Sequence, residues 1–180
     1  MTFMAPISAA EQRITVMQGA AEVSDRPGTI LTTILGSCVA ACLYDPIARV
    51  GGMNHFLLAE PGHGGSGGQD EAFGVYLMEI LINAMLKHGA SRSRLRAHLY
   101  GAANFHPRMA FVGQSNAAFA RQFLEQEGIP CLRADLGGRQ ARRVEFDAVE
   151  GRARALIVAR AEETARTRPQ TRPGNDVELF

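Results

Sequence analysis

The chain has 180 residues, 46% hydrophobic and 21% charged, with a formal net charge of +1. This is the balance of a soluble globular domain with room for a real core. It carries neither the basic excess that holds nucleic acid nor the charge-rich, core-poor composition of a disordered chain. Lys87 is the single lysine, and the three cysteines are too few and odd in number for a disulfide framework, so a reducing compartment is expected.

The opening "MTFMAPISAAEQRI" has no basic n-region and no unbroken apolar h-region, and no later run approaches the roughly 18 apolar residues of a membrane span. A cytoplasmic location without membrane insertion is the expectation. After an unassigned lead, "GTILTTIL" (28–35) is rich in β-branched residues and ends at Gly36, which predicts a strand. "CVAACLY" predicts the next strand; Asp45-Pro46 closes it with a turn, and "VGGMNHFLL" returns as the second arm of a hairpin. Residues 60–70, "EPGHGGSGGQD", form a glycine-rich surface loop long enough to border a site. Asp70 is the expected cap of a helix that carries Phe73, Leu77, Ile80, Leu81 and Ala84 at helical spacing and stops at Gly89.

"RLRAHLY" (94–100) alternates strictly and reads as a half-buried strand, followed by the loop "GAAN". A second helix over about 115–127 ends at Gly128-Ile129-Pro130, and the strands "CLRAD", "RRVEFD" and "ARALIVAR" follow. From residue 164 the chain is polar with two prolines. One domain over 1–163 with a loose tail over 164–180 is expected. The irregular order of strands and helices favours α+β, a layered sandwich with a mostly antiparallel sheet. The glycines at 62–68 lack the ending and setting of a phosphate-binding loop, so no cofactor is expected.

The chemistry-bearing residues lie in the hairpin. If Asp45 opposes Ala48 in a regular register, counting back along both strands sets Cys38 directly across from His55, with Cβ atoms about 4.5 to 5.5 Å apart. A bulge at Gly51-Gly52 would spoil that register. A thiol beside an imidazole is the pair that attacks a carbonyl carbon and then protonates a leaving amine, and the small residues of "LGSC" leave sulfur and backbone N–H groups open to a substrate and its oxyanion. The competing reading makes Cys38 a small buried hydrophobe and His55 a satisfied core histidine. On composition alone that bland reading is favoured, and "LGSC" weighs against it. Cys42 and Cys131 read as core. A zinc site from Cys38, Cys42, His55 and His63 has no C-x-x-C pair to support it, and His88, His98 and His106 read as solvated or capping. Ser37 lacks a nucleophile elbow.

"LGSCVAACLYDP", "GGMNHFLL", "FGVYLMEILINAMLKHGA" and "DLGGRQARRVEFDAVEGRARALIV" together resemble the CheD family, the chemoreceptor glutamine deamidases of bacterial chemotaxis, over roughly residues 28–158. The resemblance implies a Cys-His-Thr triad on Cys38, His55 and Thr32, with Thr32 orienting the imidazole. It also implies an α/β sandwich similar to the deamidase domain of cytotoxic necrotizing factor toxins. The implied reaction converts glutamine side chains to glutamate on the cytoplasmic domain of methyl-accepting chemoreceptors, with glutamyl methyl esters as a side substrate and no metal or organic cofactor. A CheC-type phosphatase is the further partner implied. The alternative from another class is a non-catalytic module that docks on receptor or on such a phosphatase; a third reading, a cysteine peptidase or acyltransferase, shares the dyad. Two departures adjoin the expected groove: Ala59-Glu60 stands where the family has proline after "HFLL", and Ala102 stands where many members have a second glycine.

Overall fold

The strand Thr29–Leu35 alternates in burial residue by residue, with Thr29, Leu31, Thr33 and Leu35 turned inward. That period of two is the signature of a strand with one face on a core. In the computed structural model, which describes residues 11–58, 67–105 and 110–158, this strand is β3 of nine. The others are β1 (Gln12–Thr15), β2 (Ala21–Ser24), β4 (Val39–Asp45), β5 (Val50–Phe56), β6 (Arg96–Gly101), β7 (Cys131–Leu136), β8 (Arg142–Asp147) and β9 (Arg152–Ile157). The two helices are α1 (Gly67–Lys87) and α2 (Ala110–Gln126).

The strands form two mixed sheets, ordered β1-β3-β8-β9 and β2-β5-β4-β6-β7. Only β1 with β3 and β6 with β7 run parallel; every other pairing is antiparallel. Two cores separate three layers. Leu31, Leu35, Ala40, Cys42, Met53, Tyr100, Val144 and Phe146 fill the space between the sheets. Val39, Ala41, Leu43, Leu77, Leu81, Leu99, Phe119 and Phe123 fill the space between the five-stranded sheet and the helices. Strand β4 is therefore buried on both faces, even-numbered residues toward the other sheet and odd-numbered toward the helices, which is why "VAACLY" is apolar throughout.

Helix α1 presents Leu77, Met78, Leu81, Ile82 and Met85 inward at spacings of three and four, while Phe73 and Tyr76 stay exposed. It begins at Gly67, so Asp70 lies in its first turn rather than capping it. Helix α2 starts five residues before the expected 115. Strands β1 and β2, unassigned in the sequence, flank the turn 16–20. Most of the expected loop 60–70 and the whole of the tail 164–180 lie outside the described residues.

The hairpin turn is two residues longer than expected. Asp45 pairs with Val50, Arg49 takes a left-handed φ of 56° and donates its N–H to the Asp45 carbonyl. Asp45 itself organises the turn. Its carboxylate accepts from Ile47 and Ala48 N–H, from Ser91 N–H, and from the Arg94 guanidinium at 2.8 Å. Burial pushes this carboxyl up, but the Arg94 and backbone hydrogen bonds outweigh it and hold the pKa at about 2.

Candidate active site

The chain changes sheets between β3 and β4, at Gly36-Ser37-Cys38. All three carbonyls of this corner are tied: Gly36 O accepts from Ala103 N–H at 2.8 Å, Ser37 O from Asn116 Nδ2 at 2.8 Å, and Cys38 O from Ala102 N–H at 2.7 Å. The fit is close enough that a Cβ on Gly101, whose φ is +114°, would meet Cys38 O at 2.1 Å. Asn116, fully buried on α2, also accepts from Leu58 N–H at 2.9 Å, so one side chain joins the Cys38 corner to the chain just beyond β5. Cys38 as a residue is 9% exposed and belongs to the inter-sheet core.

His55 reaches the same space from β5. Its cross-strand partner is Ala40, not Cys38, because the longer turn shifts the register by two residues. The expected direct opposition of Cys38 and His55 is thus corrected: Cys38 is the diagonal neighbour on the same face. Diagonal neighbours lie about 7 to 8 Å apart at Cα, within reach of long or aromatic side chains. The register runs regularly through Gly51 and Gly52, with no bulge.

The hydroxyl that meets the imidazole is Thr33 Oγ1, 2.9 Å from His55 Nδ1. Thr32 does not reach it. Successive side chains of a strand point to opposite faces, and Thr32, paired with Glu145 of β8 and Thr15 of β1, belongs to the outer face of the four-stranded sheet. On this geometry the threonine within hydrogen-bonding distance of the imidazole is Thr33, not the Thr32 that the resemblance implies.

The hydrogen bonds fix the imidazole's tautomer. Thr33 Oγ1 donates its single proton to Val16 O at 2.8 Å, so toward His55 it can only accept. Nδ1 therefore carries the ring proton, and Nε2, buried and without a hydrogen-bond partner among the described residues, presents its lone pair. Burial, only partly offset by the Val16 carbonyl, pulls the pKa of His55 down to about 4. At neutral pH the ring is neutral, the state that a general base requires.

A fourth segment completes the wall. The turn Met17-Gln18-Gly19-Ala20 is closed by Ala20 N–H on Met17 O at 3.0 Å, with Gly19 at φ +82°. It is pinned to the histidine's own backbone, Gly19 N–H to His55 O at 2.7 Å and His55 N–H to Ala20 O at 3.1 Å. Gln18 projects from it, and the Cys38 thiol donates to Gln18 Oε1 at 3.5 Å.

The remaining candidates lie elsewhere. Cys42 is fully buried in the inter-sheet core, where burial pushes its thiol far up. Cys131 is exposed on the edge strand β7, against the expectation of core, with its thiol on Arg133 O. His98 stacks on Tyr44 and contacts Gly151 O, and His88 contacts Ala84 O at the end of α1. His63 and His106 lie outside the described residues. Among the described residues no three His, Cys, Asp or Glu side chains gather as metal ligands would, and no helix is long and apolar enough to cross a membrane. Sequence reasoning missed Val16, Gln18 and Asn116, each of which is brought to the site by pairing or packing with a distant element.

Fold and site together define an α+β sandwich in which an imidazole and a hydroxyl are hydrogen-bonded and a cysteine joins the same inter-sheet core where the chain changes sheets. The chain belongs to the CheD family: the family model for CheD chemotactic sensory transduction matches residues 57–155. Relatives named "Probable chemoreceptor glutamine deamidase CheD" extend the likeness over nearly the whole chain. One from Agrobacterium fabrum is 47% identical over 97% of this chain and 99% of its own length. Another from Zymomonas mobilis is 48% identical over 94% and 93%. Among solved structures, a Neisseria meningitidis protein of the DUF152 family aligns with a TM-score of 0.50 at 14% identity, covering 82% of this chain and 74% of its own, a likeness of fold.

Proposed function

We propose that the protein hydrolyses glutamine side-chain amides on the cytoplasmic domain of chemoreceptors, giving glutamate and ammonia, with Cys38 as nucleophile. The single observation that carries the chemistry is the chain Val16 O, Thr33 Oγ1, His55 Nδ1, which leaves the Nε2 lone pair on the face that Cys38 shares. The names of the relatives support the substrate.

In this reading His55 Nε2 takes the Cys38 proton as sulfur adds to the amide carbon. The same proton passes to the amide nitrogen as the C–N bond breaks, releasing ammonia and leaving a thioester. Water then loses a proton to Nε2 and adds to the thioester; the C–S bond breaks, sulfur regains the proton, and the carboxylic acid formed gives its remaining proton to solvent or ammonia, leaving a carboxylate. Because His55 rests neutral, the proton moves with the attack rather than being stored in an ion pair. The same route admits a glutamyl methyl ester, with methanol leaving in place of ammonia. A cytoplasmic location and a CheC-type partner belong to this proposal, as does kinship of fold with the deamidase domain of cytotoxic necrotizing factor toxins.

The test is incubation of a purified receptor cytoplasmic fragment with the protein, followed by peptide mass spectrometry. Site-specific conversion of glutamine to glutamate with release of ammonia is expected. Retained binding without conversion would favour the docking alternative.

A further inference from the structure

The amide of Gln18 touches the sulfur but has no part in the proton path drawn above. Its backbone is fixed by the turn 16–20, which is bonded on both sides to the backbone of His55, so the side chain is delivered to the reacting sulfur by the element that holds the base. The rest state has the thiol as donor and the amide oxygen as acceptor. Once the thiol proton has gone to Nε2, that arrangement reverses: the new negative charge lies on the oxygen of the tetrahedral adduct, one carbon from sulfur, and it can only accept. A half-turn of the Gln18 amide exchanges Oε1 for Nε2, which carries two donors. An amide placed to touch sulfur is also placed to touch that oxygen.

Resting on the thiol mechanism proposed above, we infer that Gln18 is a catalytic residue, whose side-chain N–H groups stabilise the oxyanion of both tetrahedral intermediates. The interaction is made only after attack, so it lowers the barrier without tightening substrate binding. Gln18 is exposed, so its truncation is expected to cost little stability.

The experiment compares the parent with Gln18→Ala and the near-isosteric Gln18→Glu, which keeps the shape but supplies no amide donor. Two readouts are taken: kcat and KM for glutamine conversion in the receptor fragment, and the rate of iodoacetamide alkylation followed on the Cys38 peptide. Alkylation displaces iodide at a saturated carbon and forms no oxyanion. The inference predicts that both variants lose kcat by about 10²-fold with KM little changed, while alkylation of Gln18→Ala stays within about twofold of the parent. Undiminished or increased turnover in Gln18→Ala overturns it and makes Gln18 a displaceable plug. Parallel loss of alkylation overturns it in favour of an effect on the thiol. Conversion of Gln18 itself to glutamate in the purified parent overturns it in favour of a self-substrate. A parent that alkylates normally yet converts no glutamine overturns the proposed function, and this inference falls with it.

Discussion

Two adjacent threonines separate a residue that the resemblance nominates from one that the fold uses. Thr33 accepts from His55 Nδ1 and donates to Val16 O, whereas Thr32 sits on the opposite face of β3. Thr33→Val, which keeps the shape and removes the hydroxyl, is expected to cut turnover by roughly tenfold or more by releasing the tautomer; Thr32→Val should leave it within about twofold. Steady-state kinetics on both variants decide the matter, and the reverse ranking would restore Thr32. Ala102 makes a second residue-level case. It is held at φ 56°, a left-handed conformation that costs an L-residue about 1 to 2 kcal/mol, and its N–H binds Cys38 O. Ala102→Gly relieves that strain but gives up a buried methyl, about 0.8 kcal/mol, and frees the unfolded chain by about 0.5 to 1 kcal/mol, so urea unfolding is expected to change by no more than about 0.5 kcal/mol. A change of more than about 1 kcal/mol in either direction would contradict it.

At the scale of elements, the site is assembled by three connections rather than by one motif: the β3 to β4 corner, the turn 16–20, and Asn116 of α2. Asn116→Ala leaves Ser37 O and Leu58 N–H buried without their partner, and a loss of about 2 to 3 kcal/mol is expected. Equilibrium unfolding measures it, and a loss below about 0.5 kcal/mol would show that other groups or water take over. The sequence made β3, the β4–β5 hairpin, α1 and the last two strands legible, because alternation and helical spacing are local. The register of the hairpin was not, since it depends on the left-handed φ of Arg49, a residue with no intrinsic preference for it. Strands β1 and β2 escaped because each is four residues long and takes its identity from pairing with distant β3 and β5. With them went Val16 and Gln18. The sequence nominated Cys38 and His55 but not their register, and which threonine meets His55 depends on the facing of β3.

For the molecule as a whole, titration joins the site to stability. His55 titrates near 4 in the fold and near 6.5 when unfolded, so the unfolded chain binds more protons between those values. Stability contributed by the neutral ring is complete above about 6.5 and is lost as pH falls toward 4, an effect of about 3 kcal/mol. Asp45, with its folded pKa near 2, adds a further loss between about 4 and 2, in the same direction. Urea midpoints from pH 8 to 4 should fall for the parent and fall less steeply for His55→Gln, in which His98, its pKa also lowered by burial, still contributes; matching slopes would contradict the assignment. The molecule thus places a neutral imidazole inside the sandwich and the Cys38 residue at its edge, each tied by backbone hydrogen bonds to a neighbouring turn or strand end. The measurement that tests this most directly is acid-quenched mass spectrometry of the protein with receptor fragment. A thioester on the Cys38 peptide, released by hydroxylamine and absent from a folded, receptor-binding Cys38→Ala variant that converts no glutamine, is the predicted result. Glutamine conversion by Cys38→Ala at the parent's rate would contradict it.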